Sequence, residues 1–296
     1  MANLKEIRSR IRTVVTTQQM TRAMKMVSAA KLGRAQRNIE RLRPYSKKLQ
    51  DIMANISANM TEEIDSPYTA VRDAQKVLLV VVTSNRGLCG AFNTNVCKET
   101  MQAIETHYLE QKANGKLSIL AIGKKGYEFF KRRGYNMVED KNFDVFPNLS
   151  FGTVEPVVNQ IMAAFAKGDY DRVDLVYNEF KNVAVQIRRH ERFLPVDAQS
   201  TEMASSNTLD YIFEPNQKDI LAELLPKSLK TQFYRVVLES NAGEQGARMM
   251  AMDNATTNAE ELLRSLRLTY NRARQAAITT EILEIVAGAE ALASAG

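Results

Sequence analysis

The sequence has few of the residues that build disulfide, zinc or membrane-spanning structures. Its 296 residues include only two cysteines, Cys89 and Cys97, which argues against a disulfide scaffold and for a reducing compartment. Since His107 and His190 lie far off in sequence, a zinc site is not expected, and we predict buried thiols and ordinary surface or core histidines. No apolar run approaches the roughly 18 residues of a membrane span. The first six residues do not form a secretory signal.

The C-terminal part of the sequence has no proline after Pro226 and consists mostly of good helix formers. One seam recurs there every three or four positions, which is the heptad spacing of a coiled coil. Its members are Met252, Ala255, Ala259, Leu262, Leu266, Thr269, Ala273, Ala276, Thr280, Leu283 and Ala287. The pattern predicts a helix of roughly 70 residues, about 100 Å long at 1.5 Å per residue. Such a helix is too long for one globular core and is expected to project.

A second long helix is predicted at the N-terminus, from residue 3 to about residue 58. Its apolar stripe is expected to shift phase in the middle. The members are Leu4, Ile7, Ile11 and Val14, then Met20, Met24 and Val27, then Leu32, Ala35, Ile39, Leu42, Leu49, Ile52 and Ile56. We expect Pro44 to kink or interrupt this helix and Pro226 to break or bend the last one. The matching stripes predict that the two helices wind around each other in antiparallel order.

Lysine and arginine are absent from Ala276 to Gly296, where the side-chain charges are those of Glu281, Glu284 and Glu290. An apolar tip on a projecting helix would aggregate in water, so it indicates a surface meant for another chain. A frayed, alanine-rich terminus explains the same composition. Composition alone leaves both interpretations open.

Between the terminal helices the pattern changes to that of an α/β domain. A continuous β-branched run at 76–83 predicts a strand buried on both faces, which is typical of a parallel sheet. Further strands are predicted at 117–122, 174–180 and 183–189, and helices at 93–112, 127–133 and 151–167. We therefore predict a Rossmann-like doubly wound α/β domain at 75–200, together with a long antiparallel two-helix coiled coil built from residues 1–60 and 208–296.

The chain shows no pattern of catalytic or cofactor-binding residues. The loop Arg86–Gly90 follows the first strand but lacks both the three-glycine spacing of dinucleotide folds and the lysine of a P-loop. No acid after the second strand is placed to hold a ribose. Neither a triad, nor convergent carboxylates, nor metal-ligand spacing is visible. We predict no catalytic residue, no metal and no cofactor, and a degenerate dinucleotide-binding enzyme stays an alternative.

The net charge of +6 is concentrated near the N-terminus, where thirteen lysines and arginines lie between Lys5 and Lys48 against only Glu6 and Glu40. A solvated helix face explains most such runs. The functional interpretations are an acidic protein partner, a nucleic acid or an anionic membrane surface. Because the basic stretch has no aromatic platform and no reading motif, a basic coiled-coil nucleic-acid-binding protein is kept only as an alternative.

Several motifs together resemble those of a known family. The run at 278–291 matches its C-terminal signature at Ile278, Thr279, Glu281, Glu284, Gly288, Ala289 and Ala291. Residues 270–276, 7–11 and 21–31, and the loop 86–90, are similar to its other landmarks, in the same order over the full chain. By these motifs the chain resembles the gamma subunit of a bacterial F-type ATP synthase, the central rotor shaft.

The resemblance implies a non-catalytic subunit that transmits torque between a membrane ring of c subunits and three alpha and three beta subunits. Its implied partners are these subunits and the epsilon subunit, and its implied location is peripheral, on the cytoplasmic face of the bacterial inner membrane. The residues implied to contact beta are Met24, Lys25, Arg274, Gln275, Thr279 and Glu281. The segment around Tyr211 and Glu214 is implied to contact epsilon and the c-ring. No cysteine insert for redox control is present, and Asn85 stands where many relatives have aspartate.

Overall fold

The computed structural model of the chain describes residues 4–59, 66–138, 142–196 and 217–294. Six helices and four strands are assigned in these residues. In chain order they are α1 (Leu4–Asn59), β1 (Val77–Val82), α2 (Phe92–His107), α3 (Leu109–Ala113), β2 (Leu117–Ile122), α4 (Lys124–Lys131), α5 (Phe151–Lys167), β3 (Arg172–Phe180), β4 (Gln186–Leu194) and α6 (Gln217–Ser294). None of the helices in these ranges has a stretch apolar enough to span a membrane.

The chain divides into two compact units, which are described separately below. Unit 1 contains residues 1–27 and 249–296, and unit 2 contains residues 28–248. The α/β elements between β1 and β4 all belong to unit 2. The sequence-based domain boundaries at 1–60, 75–200 and 208–296 stay a prediction.

In unit 2 the four strands form one sheet in the order β2-β1-β3-β4. β1 pairs in parallel with β2 on one side and with β3 on the other, and β4 pairs antiparallel with β3 at the edge. All six residues of β1 are buried, which explains why this strand is a continuous apolar run rather than an alternating one. The long terminal helices and the parallel-dominated sheet confirm the mixed α/β class.

Helices cover both faces of this sheet. Residues Leu78, Val80 and Val82 of β1 point into a core shared with α5 and with the 229–237 stretch of α6. Their neighbours in the strand point into a second core, shared with α2 and α4. The period-2 alternation of side chains along a strand therefore sends successive apolar residues into two different cores.

The two prolines predicted to interrupt the long helices do not end them. α1 continues through Pro44, and α6 continues through Pro226. A proline removes one backbone hydrogen bond and crowds the preceding turn, a cost of about 3 kcal/mol. Around Pro226 the side chains of Leu225 and Leu229 are 3% and 2% exposed, so tertiary packing holds the helix across the defect.

The predicted phase shift in the stripe of α1 is wrong. Met20 and Val27 are 60% and 56% exposed. The strict three-four spacing instead continues through polar residues that are buried or half-buried. In unit 1 these positions are Leu4, Ile7, Ile11, Val14, Gln18, Thr21 and Lys25, and in unit 2 they are Ser28, Leu32, Ala35, Ile39, Leu42, Ser46, Leu49 and Met53.

The predicted seam of α6 is also misplaced in part. Leu262 is 48% exposed, whereas Leu263 is 7% exposed. The buried and half-buried positions follow one unbroken heptad spacing, whose members are Met252, Thr256, Ala259, Leu263, Leu266, Tyr270, Ala273 and Ala277. Threonine and tyrosine occupy seam positions that the apolar pattern alone did not assign.

Three local boundaries in unit 2 differ from expectation. The helix predicted over 93–112 is broken at Tyr108, because the Tyr108 side chain turns inward and is only 2% exposed. The strand predicted over 183–189 runs instead from Gln186, since the side chain of Asn182 accepts backbone hydrogen bonds from residues 184 and 185 and forms a turn. Helix α4 starts at Lys124, three residues before its predicted start at 127.

A buried carboxylate ties the edge of the sheet together. Asp174 of β3 is 0% exposed. It accepts hydrogen bonds from the hydroxyl of Tyr108 and, at 3.0 Å, from Nε of Arg172, and it lies 2.6 Å from Nε2 of His190 on β4. Burial pushes the pKa of Asp174 upward, but the hydrogen bonds from His190, Arg172 and Tyr108 outweigh it and hold this pKa below its ordinary value.

We predict that Asp174→Asn lowers the free energy of unfolding by about 3 kcal/mol, because it leaves Arg172 without its buried counter-charge. The lowered pKa means that the carboxylate stabilises the fold above its unfolded pKa, about 3.9. That stabilisation is lost as the pH falls through the folded value. Urea unfolding at pH 7 and at decreasing pH measures both effects. A difference between wild type and variant that stays constant down to pH 2 would contradict this assignment.

Candidate functional site

The last turns of α6 form an apolar surface that nothing in the described part of the chain covers. The side chains of Ile278, Ile282 and Ile285 are 47%, 55% and 72% exposed, and Leu283 and Val286 are exposed as well. We call this surface, residues 278–286, the tip. Contiguous exposed apolar side chains favour contact with another molecule over contact with water. The tip is helical, since α6 continues to Ser294.

The four C-terminal residues implied to contact a partner lie at the tip or within its preceding turn. Arg274, Gln275, Thr279 and Glu281 are all exposed on α6. The hydroxyl of Thr279 donates to the backbone oxygen of Gln275 at 2.9 Å. Among the described residues, the side chains of Arg274, Gln275 and Glu281 have no hydrogen-bond or ion-pair partner. The structure thus brings together polar groups and apolar area on one helix end.

In unit 1 the start of α1 contacts the later part of α6 through side-chain pairs in antiparallel order. The hydroxyls of Thr21 and Thr256 lie 2.8 Å apart and are buried, and Lys25 Nζ lies 2.5 Å from Asp253 Oδ1. Arg8 donates to the hydroxyl of Tyr270 at 2.8 Å. As the residue numbers rise on one helix they fall on the other, so the segments run antiparallel.

Glu260 connects two residues of α1. Its Oε1 accepts from Gln18 at 2.9 Å and from Arg22 at 3.1 Å. The Arg22–Glu260 pair is about half exposed on both sides, and such pairs contribute about 0–1 kcal/mol. The buried Thr21–Thr256 hydrogen bond contributes about 1 kcal/mol and keeps two polar seam residues satisfied. These side-chain contacts fix the register of α1 against α6, and they add little to the free energy of unfolding.

Met24 and Lys25, also implied to contact a partner, are both half-buried on α1. Lys25 and Arg22 are engaged by acids of α6, so the basic stretch at this level is partly neutralised within unit 1. Nearby, Met20, Met26 and Val27 are more than half exposed. The outer surface at this level is therefore apolar as well as basic.

Sequence reasoning missed the acids Asp253 and Glu260, which lie seven residues apart on α6. This spacing returns to the same helix face, next to the seam positions 252, 256 and 259. A strict heptad frame, kept through polar residues, would have placed them opposite Lys25 and Arg22. Tyr211 and Glu214 lie outside the described residues.

The glycine loop after β1 is held in place by hydrogen bonds from other residues of the chain. Asn93 bonds the backbone N–H and the hydroxyl of Ser84, and Arg248 donates to the backbone oxygens of Arg86 and Gly87 at 3.2 and 3.4 Å. At the carboxyl ends of β1 and β2, Asn85 donates to the oxygen of Phe143 and accepts from the N–H of Lys124. In doubly wound folds a dinucleotide binds at this edge of the sheet. Here the polar groups at the edge bond to other residues of the chain.

The titratable groups show no catalytic arrangement within the described ranges. No group of three or more histidines, cysteines or acids is placed to hold a metal ion there. Cys89 and Cys97 are 1% and 2% exposed, as predicted, and burial raises the pKa of the Cys97 thiol to about 12. A thiol with a raised pKa and no exposure is a poor nucleophile.

Comparison with known proteins agrees with this geometry. A sequence model of the family described as ATP synthase matches residues 3–292. The chain is 52% identical to the ATP synthase gamma chain of Cytophaga hutchinsonii over 297 residues, covering 99% of both chains. It is 49% identical to the ATP synthase gamma chain of Flavobacterium johnsoniae over 292 residues, again covering 99% of both.

Solved structures share the fold. A chain of the Euglena gracilis mitochondrial ATP synthase, from the OSCP/F1/c-ring in rotational state 3, is similar with a TM-score of 0.64 and 23% identity, over 98% of this chain and 94% of that one. A chain of the Tetrahymena thermophila mitochondrial ATP synthase central stalk and c-ring has a TM-score of 0.56 and 24% identity, over 80% and 99%.

The fold and the exposed helix surfaces define a mixed α/β subunit with two long terminal helices and an uncovered end. The chain belongs to the ATP synthase gamma-chain family. Neither alternative, a nucleic-acid-binding protein or a dinucleotide-binding enzyme, is supported by the comparisons.

We predict that Lys25 and Asp253 are energetically coupled. Lys25→Glu and Asp253→Lys should each destabilise unit 1, and the charge-swapped double variant should recover part of the loss. For a pair that is 40% and 47% exposed, a coupling of about 0.5–1 kcal/mol is expected in a double-mutant cycle by urea unfolding. The exposed residues Arg12 and Asn258 provide a control cycle, Arg12→Glu with Asn258→Lys. Equal couplings in the two cycles would contradict a specific Lys25–Asp253 tie.

Proposed function

We propose that this chain is the central rotor subunit of a proton-translocating F-type ATP synthase, which couples ion flow at the membrane to ATP synthesis or hydrolysis. The observation that carries the proposal is the uncovered apolar tip at the end of a helix that α1 accompanies in antiparallel order. Near-full-length identity of 52% to a bacterial ATP synthase gamma chain supports it. One of the similar solved structures is the rotor of the Euglena gracilis mitochondrial ATP synthase in rotational state 1.

The proposed partners are three alpha and three beta subunits, the epsilon subunit and the c-ring. We propose that the tip turns inside the ring of alpha and beta subunits, with Arg274, Gln275, Thr279 and Glu281 touching beta. Met24 and Lys25 are proposed to contact beta at a second level, beside the exposed Met20, Met26 and Val27. The segment around Tyr211 and Glu214 is proposed to contact epsilon and the c-ring.

The helices of unit 1 are proposed to act as a two-stranded antiparallel coiled coil that carries torque. The heptad spacing of both helices supports this, because it keeps the same residues facing the partner over many turns. Each charge that crosses a membrane potential of 100 mV releases about 2.3 kcal/mol. The energy that the shaft carries is therefore several times the free energy contributed by any one hydrogen bond or ion pair between the helices. The load therefore has to be spread over many seam contacts.

A non-catalytic role is proposed for the chain itself. The parallel strand order β2-β1-β3, with helices on both faces, supports the proposal of a Rossmann-like doubly wound domain. The bonds that Asn85 and Arg248 make at the loop after β1 favour a structural role for that loop. In the proposed assembly the chain is peripheral to the membrane, on the cytoplasmic face of the bacterial inner membrane. An asymmetric shaft that touches three beta subunits differently would bias each toward a different conformation.

Co-purification tests the proposal directly. The affinity-tagged full-length chain, expressed with its native partners, should be recovered in a particle with three alpha and three beta copies. A chain recovered alone, or with nucleic acid instead of these subunits, would contradict the rotor assignment.

We predict that Ile282→Glu combined with Ile285→Glu raises the solubility of the isolated chain and lowers its recovery with alpha and beta subunits. Two charges added to the tip suppress self-association, but they must be desolvated when a partner covers the surface. A several-fold effect in both directions is expected, measured by light scattering and by quantitative co-purification.

The control adds the same charges at exposed polar positions of the same helix, Asn258→Glu with Ser265→Glu. It should change neither quantity more than about twofold, since surface substitutions outside packed contacts have small effects. If the tip variant assembles as well as the control, the tip is not a covered surface.

A further inference from the structure

Helix α6 enters the core on one face of the sheet in unit 2. Its 229–237 stretch packs there with β1 and α5, whereas no described residue of α1 belongs to either core of the sheet. On the same stretch Lys230 Nζ lies 2.8 Å from Oε1 of Glu155 on α5, and the ring of Tyr234 meets the ring of Phe151 edge to face. Side chains therefore attach α6 to the sheet along this stretch.

Further along α6, two glycines stand three residues apart in a sequence of mostly good helix formers. Residues i and i+3 share one face of a helix, so Gly243 and Gly246 present a bare stretch of backbone. A Cβ added at Gly243 would lie 3.3 Å from Cγ of Gln186 on β4 and 3.4 Å from Cε2 of Phe92 on α2. Since glycine is a poor helix former, its presence here indicates a packing requirement.

Gly246 brings the helix against the turn that joins β3 to β4. A Cβ added there would lie 3.4 Å from the backbone oxygen of Val183 and 3.5 Å from Cε2 of Phe180, the last residue of β3. The oxygen of Val183 belongs to the main chain, so it has no rotamer by which to move away. A larger side chain at position 246 would therefore push α6 off the turn.

The residues that receive the two glycines are fixed by their own hydrogen bonds. We call them the seat, which consists of Phe92, Asn178, Phe180, Val183 and Gln186. Asn178 is 2% exposed and donates from Nδ2 to the backbone oxygen of Phe92 at 3.1 Å. Gln186 donates from Nε2 to the backbone oxygen of Val183 at 3.1 Å. The seat is therefore a preformed surface against which the backbone of α6 lies.

Unit 2 thus holds α6 at two places. Phe233 in the packed stretch and Gly246 at the seat are separated by about 20 Å of helix, at 1.5 Å per residue. Two holds at this separation resist tilting of the helix, and contact of its backbone with the seat resists turning about its own axis. Contacts made only through long, exposed side chains yield more easily, because these change rotamer within picoseconds to nanoseconds.

We propose that the seat is the joint that fixes the angular position of α6 on the sheet when torque passes along the shaft. Gly243 and Gly246 are positioning residues, which act by letting the helix backbone lie against the seat. The inference rests on the proposed rotor function and names the place where the α/β part of the chain grips the shaft helix. Because α6 is one helix from Gln217 to Ser294, a rotation of the helix at the seat would be carried along it.

The torsional stiffness of the assembled rotor tests the proposal. The alpha and beta subunits are immobilised, a bead is attached to unit 2 through Asn114→Cys at an exposed position, and the angular fluctuations of the bead are recorded without ATP. The native thiols of Cys89 and Cys97 are buried and do not compete for the label. Wider fluctuations mean a softer connection between the bead and the immobilised subunits.

Gly246→Leu forces α6 away from the backbone of Val183, so the stiffness is expected to fall roughly threefold. Phe180→Ala opens the seat without a clash and should lower the stiffness about twofold. Gly246→Ala is the conservative variant, and it should stay within about 1.5-fold of wild type because its Cβ meets the seat at ordinary contact distances. The matched control is Gly152→Leu in α5, where an added Cβ would meet no atom within 4 Å and no change is expected.

A Gly246→Leu rotor as stiff as wild type, or an equal loss of stiffness in Gly152→Leu, would overturn the joint. If Gly246→Leu is not recovered with its partners, Phe180→Ala decides, and unchanged stiffness in that variant overturns the joint as well. A purely structural role lowers the yield of assembled particles but leaves the stiffness of those that form unchanged. Absence of ATP-driven rotation in the wild type would refute the proposed function together with the joint, whereas rotation without a stiffness difference would refute the joint alone.

Discussion

In unit 1 the spacing of the buried positions on α1 and α6 is the constraint on which the contacts between these two helices depend. A 3.5-residue period is maintained only if every third and then fourth position faces the partner, whatever residue type stands there. Between Val14 and Ser28 of α1 the frame passes through Gln18, Thr21 and Lys25. Each of these polar residues has a partner on α6, so the frame continues without a phase change. Polar seam residues of this kind fix register at a small cost in stability.

The parts of the fold that could be predicted are those in which local pattern and tertiary environment agree. The runs at 77–82 and 117–122 are apolar throughout because a central parallel sheet buries both faces, and the structure has strands at these positions. Helix α5 matches its predicted range, 151–167, because Ser150 caps its start and Gly168 its end in left-handed conformation. In both cases the deciding interactions are within or beside the segment itself.

The wrong predictions concern positions where side-chain contacts with distant parts of the chain decide the structure. The choice of Ala255 over Thr256, and of Met20 over Thr21, followed side-chain polarity where helix geometry decided the outcome. The first choice carried the predicted seam to Leu262 instead of the buried Leu263. The break at Tyr108 depends on Asp174, 66 residues away in sequence, and no local pattern contains that pairing. The candidate site was predictable where it is uncovered: the tip has no lysine or arginine, and its apolar residues are exposed. The acids that engage Lys25 and Arg22 were not assigned, because the heptad frame was not kept through the polar residues of the two helices.

Unit 1 has two kinds of surface: directional contacts between α1 and α6, and an exposed apolar tip. This difference suits the proposed rotation. Between α1 and α6 the ties are directional: a buried threonine pair, an ammonium on a carboxylate and an arginine on a tyrosine hydroxyl. Directional hydrogen bonds and ion pairs resist sliding of one helix along the other. They therefore suit the contact between α1 and α6, which must turn together in the proposed rotor. The tip instead presents isoleucine, leucine and valine, whose attraction to a surrounding surface does not depend on angle. An interface of that kind loses little free energy when one surface turns against the other, whereas an interface of fixed ion pairs would have to break each pair at every step. The proposed shaft is therefore bonded directionally within itself and non-directionally to its surroundings.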